Sequence, residues 1–587
     1  VSSSRRIGNA EIAERLERSA DLLEIDGANA FRVRAYRNAA EAVAAHAESF
    51  SAMVERGADL TELKGIGKDL AAGITALVRD GALPALEELS ARVPLGLLDV
   101  VQVQGVGPKR AHTLWQQRDV TGLDDLERVA RAGRVADLPG FGEKTQAKIL
   151  SGIEAVRRRD GRVRLGDADV LVRPLLALVE GAAGVKRAAV AGSLRRGRET
   201  IGDVDLLAAA QDPAPVMAAL RAADGVREVL GSGDTKTSVL LTGGLQVDLR
   251  VVPEAAYGAA LVYFTGSKAH NVALRQRAIE RGLKLSEYGL FAGDDEEPIA
   301  ARDERDVYAA LELPWIAPEL REDRGEVEAA DAGRLPELLT LDDIRGDLHW
   351  HTTWSDGADD VETMLEACAA RGYEYAAITD HSQALRMTGG LDAAKLARQW
   401  EALDIVERER ERERGEAAPT LLRGLEVDIL KDGRLDLDDD WLERLDIVVA
   451  SVHSFFDLAQ ADQTERIVRA LGHPSVNVLA HPTGRLLGRR DGIDVDLDAI
   501  FAAAAEHGVA IECNASPYRL DASDVHLMRA VRAGCTIVID SDAHAAAGLD
   551  DMRFGVLTAR RAWLGVDQVL NAWPLERVRA FLGRSGR

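Results

Sequence analysis

Asp203 and Asp205, in the segment GDVDLL, stand two residues apart in a strand-like run, so both carboxylates leave the same face. A third carboxylate, Asp248 in LQVDLR, belongs to a neighbouring apolar run. Three converging carboxylates suit a divalent cation that prefers oxygen ligands, and they are the protein's share of a two-metal site for in-line phosphoryl displacement. Upstream, Gly192 and Ser193 in AGSLRRG follow another apolar run, as a turn that cradles phosphates would.

A second constellation is built from imidazole. Nine of the twelve histidines follow residue 345. His349 and His351 alternate in GDLHWHTTWSDG, with Asp356 in the loop beyond, and His381, His453, His481 and His544 each close or follow an apolar run. Glu426 in GLEVD and Asp542 in SDAH add carboxylates. Ligands at the ends of successive strands converge at one mouth of a βα barrel. So many nitrogens suit zinc, manganese or iron better than a dedicated magnesium or calcium site. His473 also precedes a proline, but His481 directly closes the run Val476–Ala480 and is preferred. Arg485 and Arg519 are candidate phosphate contacts.

The elements that must position these groups follow from composition and pattern. With 587 residues the chain exceeds one hydrophobic core, and three or more domains are expected. Residues 1–160 are helical in periodicity and contain three related turns: LKGIGKDLAAGI, VQGVGPKRAHTL and LPGFGEKTQAKI. Gly65 and Gly67, Gly105 and Gly107, and Gly140 and Gly142 let the backbone turn sharply before a helix whose free N–H groups face a phosphate. Lys64, Lys68, Lys109, Arg110, Lys144 and Lys148 lie beside the turns. The net charge of −24 resolves by halves: residues 1–300 carry 40 Lys+Arg against 42 Asp+Glu, leaving 33 against 55 for the rest. Acidity therefore belongs to the second half and does not exclude nucleic acid as a partner of the first. Cys368, Cys513 and Cys535 lack metal or disulfide spacing and fit a reducing compartment as core residues. No stretch reads as a membrane span or a secretory leader. Residues 319–342 are acidic and read as a linker.

These motifs resemble known families. The three glycine turns are similar to helix-hairpin-helix motifs, which grip the DNA backbone without reading sequence. GS-x-RRG, GD-x-D and the later VDLR resemble the nucleotidyltransferase palm, and GSGDTKTS, YFTGSKAHN and LSEYGLF narrow this to family X DNA polymerases. The ordered His/Asp/Glu set resembles the PHP (polymerase and histidinol phosphatase) domain. The resemblance implies a multidomain α+β chain: helix-hairpin-helix segments at 1–82 and 83–162, a palm at 163–262, a thumb-like subdomain at 263–318 binding the nascent base pair, an acidic linker at 319–343, and a distorted (β/α)7 PHP barrel at 344–587. It implies Asp203, Asp205 and Asp248 as catalytic ligands of Mg²⁺ or Mn²⁺. Ser193, Arg196 and Gly202, with Gly192, would surround the triphosphate; Tyr263, Phe264 and Gly266 would line the sugar pocket. Asn271 would meet the base and Arg275 the template. It implies nine ligands for up to three Mn²⁺ or Zn²⁺ ions: His349, His351, Asp356, His381, Glu426, His453, His481, Asp542 and His544. Gap filling on primer-template DNA with deoxynucleoside triphosphates is expected, together with a 3′–5′ exonuclease and, further, cutting at abasic sites or removal of 3′ phosphates. A bacterial, cytoplasmic, nucleoid-associated monomer is the default expectation. Two departures stand out. Gly73 occupies the position of a lyase lysine and cannot form a Schiff base. Gln246 replaces an arginine two residues before Asp248, which leaves the ordering of that carboxylate open. Rival readings are a small-molecule phosphoesterase and a DNA-end scaffold.

Overall fold

The computed structural model describes residues 9–45, 50–63, 65–80, 83–103, 105–138, 141–159, 162–293, 295, 297–385, 388–414 and 419–583. The chain divides into two compact units: residues up to 160 with 488–491, and the remainder.

The first unit is helical. Helix Asn9–Ile25 carries apolar residues from end to end among its charges, so Ile12 and Leu16 enter one core while Leu22, Leu23 and Ile25 enter another. One helix thus serves both cores, and the two hairpin regions pack as a single compact unit. In each glycine turn the same bond recurs: Ile66 N–H to Leu63 O (3.1 Å), Val106 N–H to Val103 O (2.9 Å) and Phe141 N–H to Leu138 O (3.0 Å). Gly65 and Gly105 sit at φ +91° and +87°, a region that L side chains avoid.

In the second unit, five strands between Arg187 and Val252 pair as β1 (Arg187–Val190), β2 (Asp203–Ala209), β3 (Val226–Ser232), β4 (Lys236–Leu241) and β5 (Gln246–Val252), in the order β1-β2-β5-β4-β3. Strand β3 is mostly solvent-facing, which is why no apolar run announced it. Helix Leu165–Glu180 covers the sheet with Leu165, Val172, Leu175 and Val179. Helices Tyr257–Thr265, Lys268–Glu280 and Glu304–Ala310 follow, with a hairpin of Leu283–Ser286 and Gly289–Ala292.

Beyond residue 345, seven strands lie in chain order as one parallel sheet: β6 (Gly346–Trp350), β7 (Tyr375–Ile378), β8 (Thr420–Asp428), β9 (Ile447–Ser451), β10 (Val478–Leu479), β11 (Ala510–Asn514) and β12 (Ile537–Asp540). The sheet curls into a nearly closed barrel. A parallel bridge joins Trp350 to Ala543, and Leu348 N–H donates to Asp540 Oδ1 at 2.8 Å. Strands β6, β9, β11 and β12 are buried throughout, as parallel strands covered on both faces must be.

The linker expectation is corrected. Residues 319–330 are packed rather than a free linker: Leu320, Val327 and Ala330 join the core of the thumb-like helices, and Arg321 and Glu326 are fully buried. The acidic residues there have partners, Glu319 with Arg560, Glu322 with Arg196 and Arg561, and Glu326 with His270, which an excess of charge in the sequence disguised as solvation. Palm, thumb and barrel pack as one compact unit, and Leu520 and Phe554 of the barrel lie within the palm's own apolar cluster. Cys368, Cys513 and Cys535 are buried free thiols. Among the described residues no helix is long and apolar enough to cross a membrane.

Candidate active sites

In the palm, β2 and β5 run parallel with Asp205 opposite Asp248 and Asp203 opposite Gln246, which gathers the three carboxylates at one edge. Asp203 is exposed, Asp205 half-buried and Asp248 buried, so the group opens on one side to solvent. Gly192 stands at φ +61°, where an added Cβ would lie 2.4 Å from Asp205 Oδ2; only glycine lets the turn approach the acid this closely. Burial, followed by the charges of Asp203 and Asp248, raises the Asp205 carboxyl to about 6. Asp248 goes the other way. Burial alone would raise it, but Lys236 Nζ at 2.6 Å and the Gln246 amide at 2.9 Å bring it below the usual range. Gln246 thus orders the third carboxylate in place of the expected arginine. Crowded acids of this kind gain most from a bound cation, and the oxygen-only donor set fits Mg²⁺ or Mn²⁺.

The nucleotide residues are only partly gathered. Asn271 Nδ2 donates to Tyr263 O (2.7 Å) and Gly266 O (3.3 Å), so in this structure it clamps the turn itself. An added Cβ on Gly266 would meet Asn271 Oδ1 at 2.5 Å. The Tyr263 and Phe264 rings meet edge-on at 5.1 Å, and Arg250 covers Phe264 at 4.7 Å. Arg275 is exposed, its Nε donating to Asn271 O at 3.3 Å, while Gly202 faces the Arg162 guanidinium. Arg196 has protein partners of its own. Its Nε donates to Glu322 at 3.0 Å and its NH1 group to Thr265 O at 2.7 Å, because Glu322 is a buried carboxylate that needs guanidinium partners.

In the hairpins, Lys68, Lys109 and Lys144 are exposed in the first turn of their helices, near Gly67, Gly107 and Gly142. Gly140 and Lys64 lie outside the described residues. Gly73 is inside helix Lys68–Asp80.

At the barrel mouth Glu426, at the end of β8, is the hub. Its Oε1 lies 3.3 Å from His453 Nε2 and 3.0 Å from His481 Nε2; its Oε2 lies 2.6 Å from His381, 3.6 Å from His349 and 3.8 Å from His351. Asp542 Oδ1 is 3.2 Å from His351, and Asp356 Oδ1 is 3.6 Å from His381 and 3.5 Å from His544. All nine expected ligands therefore converge. Eight of them form three overlapping groups with ligand atoms within 4.8 Å of one another: His351, Asp356, His381 and His544; His349, His351 and Asp542; His381, Glu426 and His453. His349 Nε2, both ring nitrogens of His351 and Glu426 Oε2 are buried without a hydrogen-bond partner. Burial, then the neighbouring His544 and His381, pushes the His351 ring down to about 3, so it is neutral at pH 7 and its lone pair is free for a metal. The residues fit a transition-metal or zinc cluster.

Several contributors carry no obvious motif. Glu512 Oε1 accepts from His349 Nδ1 at 2.6 Å and its Oε2 from the His481 N–H at 2.5 Å, fixing two ligands at once. Asn514 Nδ2 donates to Asp542 at 3.0 Å, and Asp380 gathers Thr352, Ser355 and Gln399 beneath the mouth. The signal for Glu512 was a lone charge inside the apolar run Val509–Cys513, since a buried parallel strand tolerates an acid only when it has a partner. Arg519 Nε reaches Asp542 Oδ2 at 3.4 Å. Arg485, expected at phosphate, is turned to the palm instead: it pairs with Glu199 at 2.7 Å and donates to the carbonyls of Arg519 and Leu520. His473 pairs with Asp439 at 3.3 Å, apart from the cluster.

These two sites define a class, a nucleotidyltransferase palm joined to a metal-dependent phosphoesterase barrel. Family models agree segment by segment: a helix-hairpin-helix domain at 7–83, a SAM-like helix-hairpin-helix tandem at 97–155, a DNA polymerase beta thumb at 260–322 and a PHP domain at 347–516. The DNA polymerase/3′-5′ exonuclease PolX of Bacillus subtilis (strain 168) is 40% identical over 577 residues, 98% of this chain and 99% of that protein. Probable phosphatases of Shewanella sediminis (strain HAW-EB3) and Edwardsiella ictaluri (strain 93-146) are 29% and 30% identical, each over 41% of this chain. The chain belongs to the family X DNA polymerases that carry a PHP domain.

Proposed function

We propose that this chain fills short gaps in DNA during repair and trims 3′ ends before or after extension, with separate sites for the two reactions. The observation that carries the reading is the presence, in one unit, of the Asp203–Asp205–Asp248 edge beside Gly192 and of Glu426 with the eight other expected ligands gathered at the barrel mouth. In the palm the three acids hold Mg²⁺ or Mn²⁺, and the Gly192–Ser193 turn offers its backbone to the triphosphate. Tyr263, Phe264, Gly266 and Asn271 shape the floor on which the deoxynucleotide rests. A divalent ion held there would supply activation of a primer hydroxyl and charge neutralisation at the triphosphate. In the barrel, up to three Mn²⁺ or Zn²⁺ ions would supply water activation and charge neutralisation at a phosphodiester. Glu512 fixes the His349 ring, and Arg519 offers a guanidinium at the mouth. The glycine hairpins hold the backbone of gapped or primer-template DNA. Removal of a deoxyribose phosphate is weak or absent, since Gly73 supplies no amine. The chain works as a cytoplasmic, nucleoid-associated monomer.

The test is a pair of variants assayed on a one-nucleotide gap and on a frayed 3′ end. Asp203→Ala with Asp205→Ala abolishes extension and keeps Mn²⁺-dependent nuclease; Glu426→Ala with His351→Ala does the reverse. Extension that survives loss of both palm acids overturns the assignment.

A further inference from the structure

The barrel touches the polymerase site through a side chain. Residues 192–198 form a hydrogen-bonded body: Arg196 N–H donates to Gly192 O at 3.2 Å, Gly197 N–H to Leu194 O at 3.0 Å and Arg198 N–H to Ser193 O at 3.0 Å. Its inner end is Gly192, against Asp205. Its outer end rests on the barrel helix Met552–Arg561. There an added Cβ on Gly197 would lie 3.3 Å from Leu557 Cβ, and the Arg561 NH1 group donates to Arg196 O at 2.8 Å. The same guanidinium group pairs with Glu322 at 2.9 Å, the carboxylate that also holds Arg196, and its NH2 group pairs with Asp524 of the barrel at 2.8 Å. Asp524 is tied in turn to Arg324 at 3.0 Å. Arg561 is 4% exposed.

We propose that Arg561, a residue of the nuclease barrel, is a positioning residue for nucleotide addition. A buried arginine that donates to a main-chain carbonyl and is fixed by two carboxylates sets the height of the 192–198 body. That body is internally bonded, so a shift at Arg196 is passed to Gly192 and Ser193, where the triphosphate must meet the acids. Small displacements of this kind are costly, since a misplacement of about 1 Å can reduce rate by roughly a hundredfold. The barrel is then part of the nucleotide site's foundation as well as an enzyme in its own right. This rests on the palm reading proposed above.

The test measures KM and kcat for a deoxynucleoside triphosphate on gapped DNA, 3′–5′ exonuclease rate and melting temperature for the full chain. Arg561→Met raises KM for the nucleotide by roughly tenfold or more, leaving exonuclease within about twofold of wild type. Arg561→Lys, which keeps the charge but not the fork, falls between the two. Asp524→Asn, which loosens Arg561 without touching the palm, moves KM in the same direction and carries the test if Arg561→Met does not fold. An unchanged KM in folded variants overturns the inference, as does an equal fall in exonuclease. If the wild-type chain itself fails to extend a primer, it is the palm reading that fails.

Discussion

At the scale of single residues, the two sites are held by groups that do no chemistry themselves. Gly192 is the sharpest case. A methyl group there meets the Asp205 carboxylate at 2.4 Å on a backbone already at positive φ. Gly192→Ala is therefore expected to cut nucleotide addition by roughly a hundredfold, with the nuclease unaffected, in parallel assays on gapped and frayed DNA. Glu512 plays the corresponding part in the barrel. Glu512→Gln keeps the volume but weakens its hold on the His349 ring, and metal affinity should fall by about 10–100-fold, read as a shift in the Mn²⁺ concentration that half-activates the nuclease. The motif residues were legible in the sequence because alternation in a strand puts i and i+2 on one face. Asp203 with Asp205 and His349 with His351 needed no tertiary knowledge. Glu512, Lys236 and Asn514 were not legible as a set, since their partners are brought to them only by barrel closure and sheet pairing. The partners of Arg196 and Arg485 were equally invisible: charge type can be read from a sequence, but not that Glu322 and Glu199 stand beside these guanidinium groups.

At the scale of elements, the thumb-like helices are fastened to the palm by Glu304. It accepts two bonds from Arg195 (2.8 and 2.9 Å) and one from Arg321 (2.6 Å). Burial alone would raise this carboxyl, but the Arg195 and Arg321 contacts outweigh it and lower the carboxyl from 4.5 to about 2. A depressed carboxyl contributes stability in full above its unfolded value near 4.5, and the contribution is lost as pH falls from there toward 2. The shift corresponds to on the order of 3 kcal/mol. Glu304→Gln is expected to melt earlier than wild type at pH 7, with the gap narrowing once pH drops below about 4.5. A gap independent of pH would show that the pair does not act through its charge. The acidic stretch after residue 318 belongs to the same lesson. Its composition reads as linker, yet Glu319 pairs with Arg560 at 2.8 Å and Glu326 is fully buried. Strand β3 escaped notice for the opposite reason, being too exposed to carry an apolar pattern.

At the scale of the whole molecule, a chain of net charge −24 must still hold a polyanion. The hairpin lysines reconcile the two, since phosphate contacts are local. Replacing Lys68, Lys109 and Lys144 together by alanine should weaken binding to gapped DNA and reduce the slope of log affinity against log salt by roughly 2–3 units, measured by anisotropy across salt concentrations. An unchanged slope would place the DNA elsewhere. The division into catalytic blocks was readable from motif order; their fusion was not, because it depends on apolar residues far apart in sequence. Leu520 and Phe554 close the palm's interior from the barrel side. A descendant that shed its nuclease would inherit a polymerase with an open seam, and would need new bulky side chains along that wall before it could stand alone. In this chain the two enzymes share one wall.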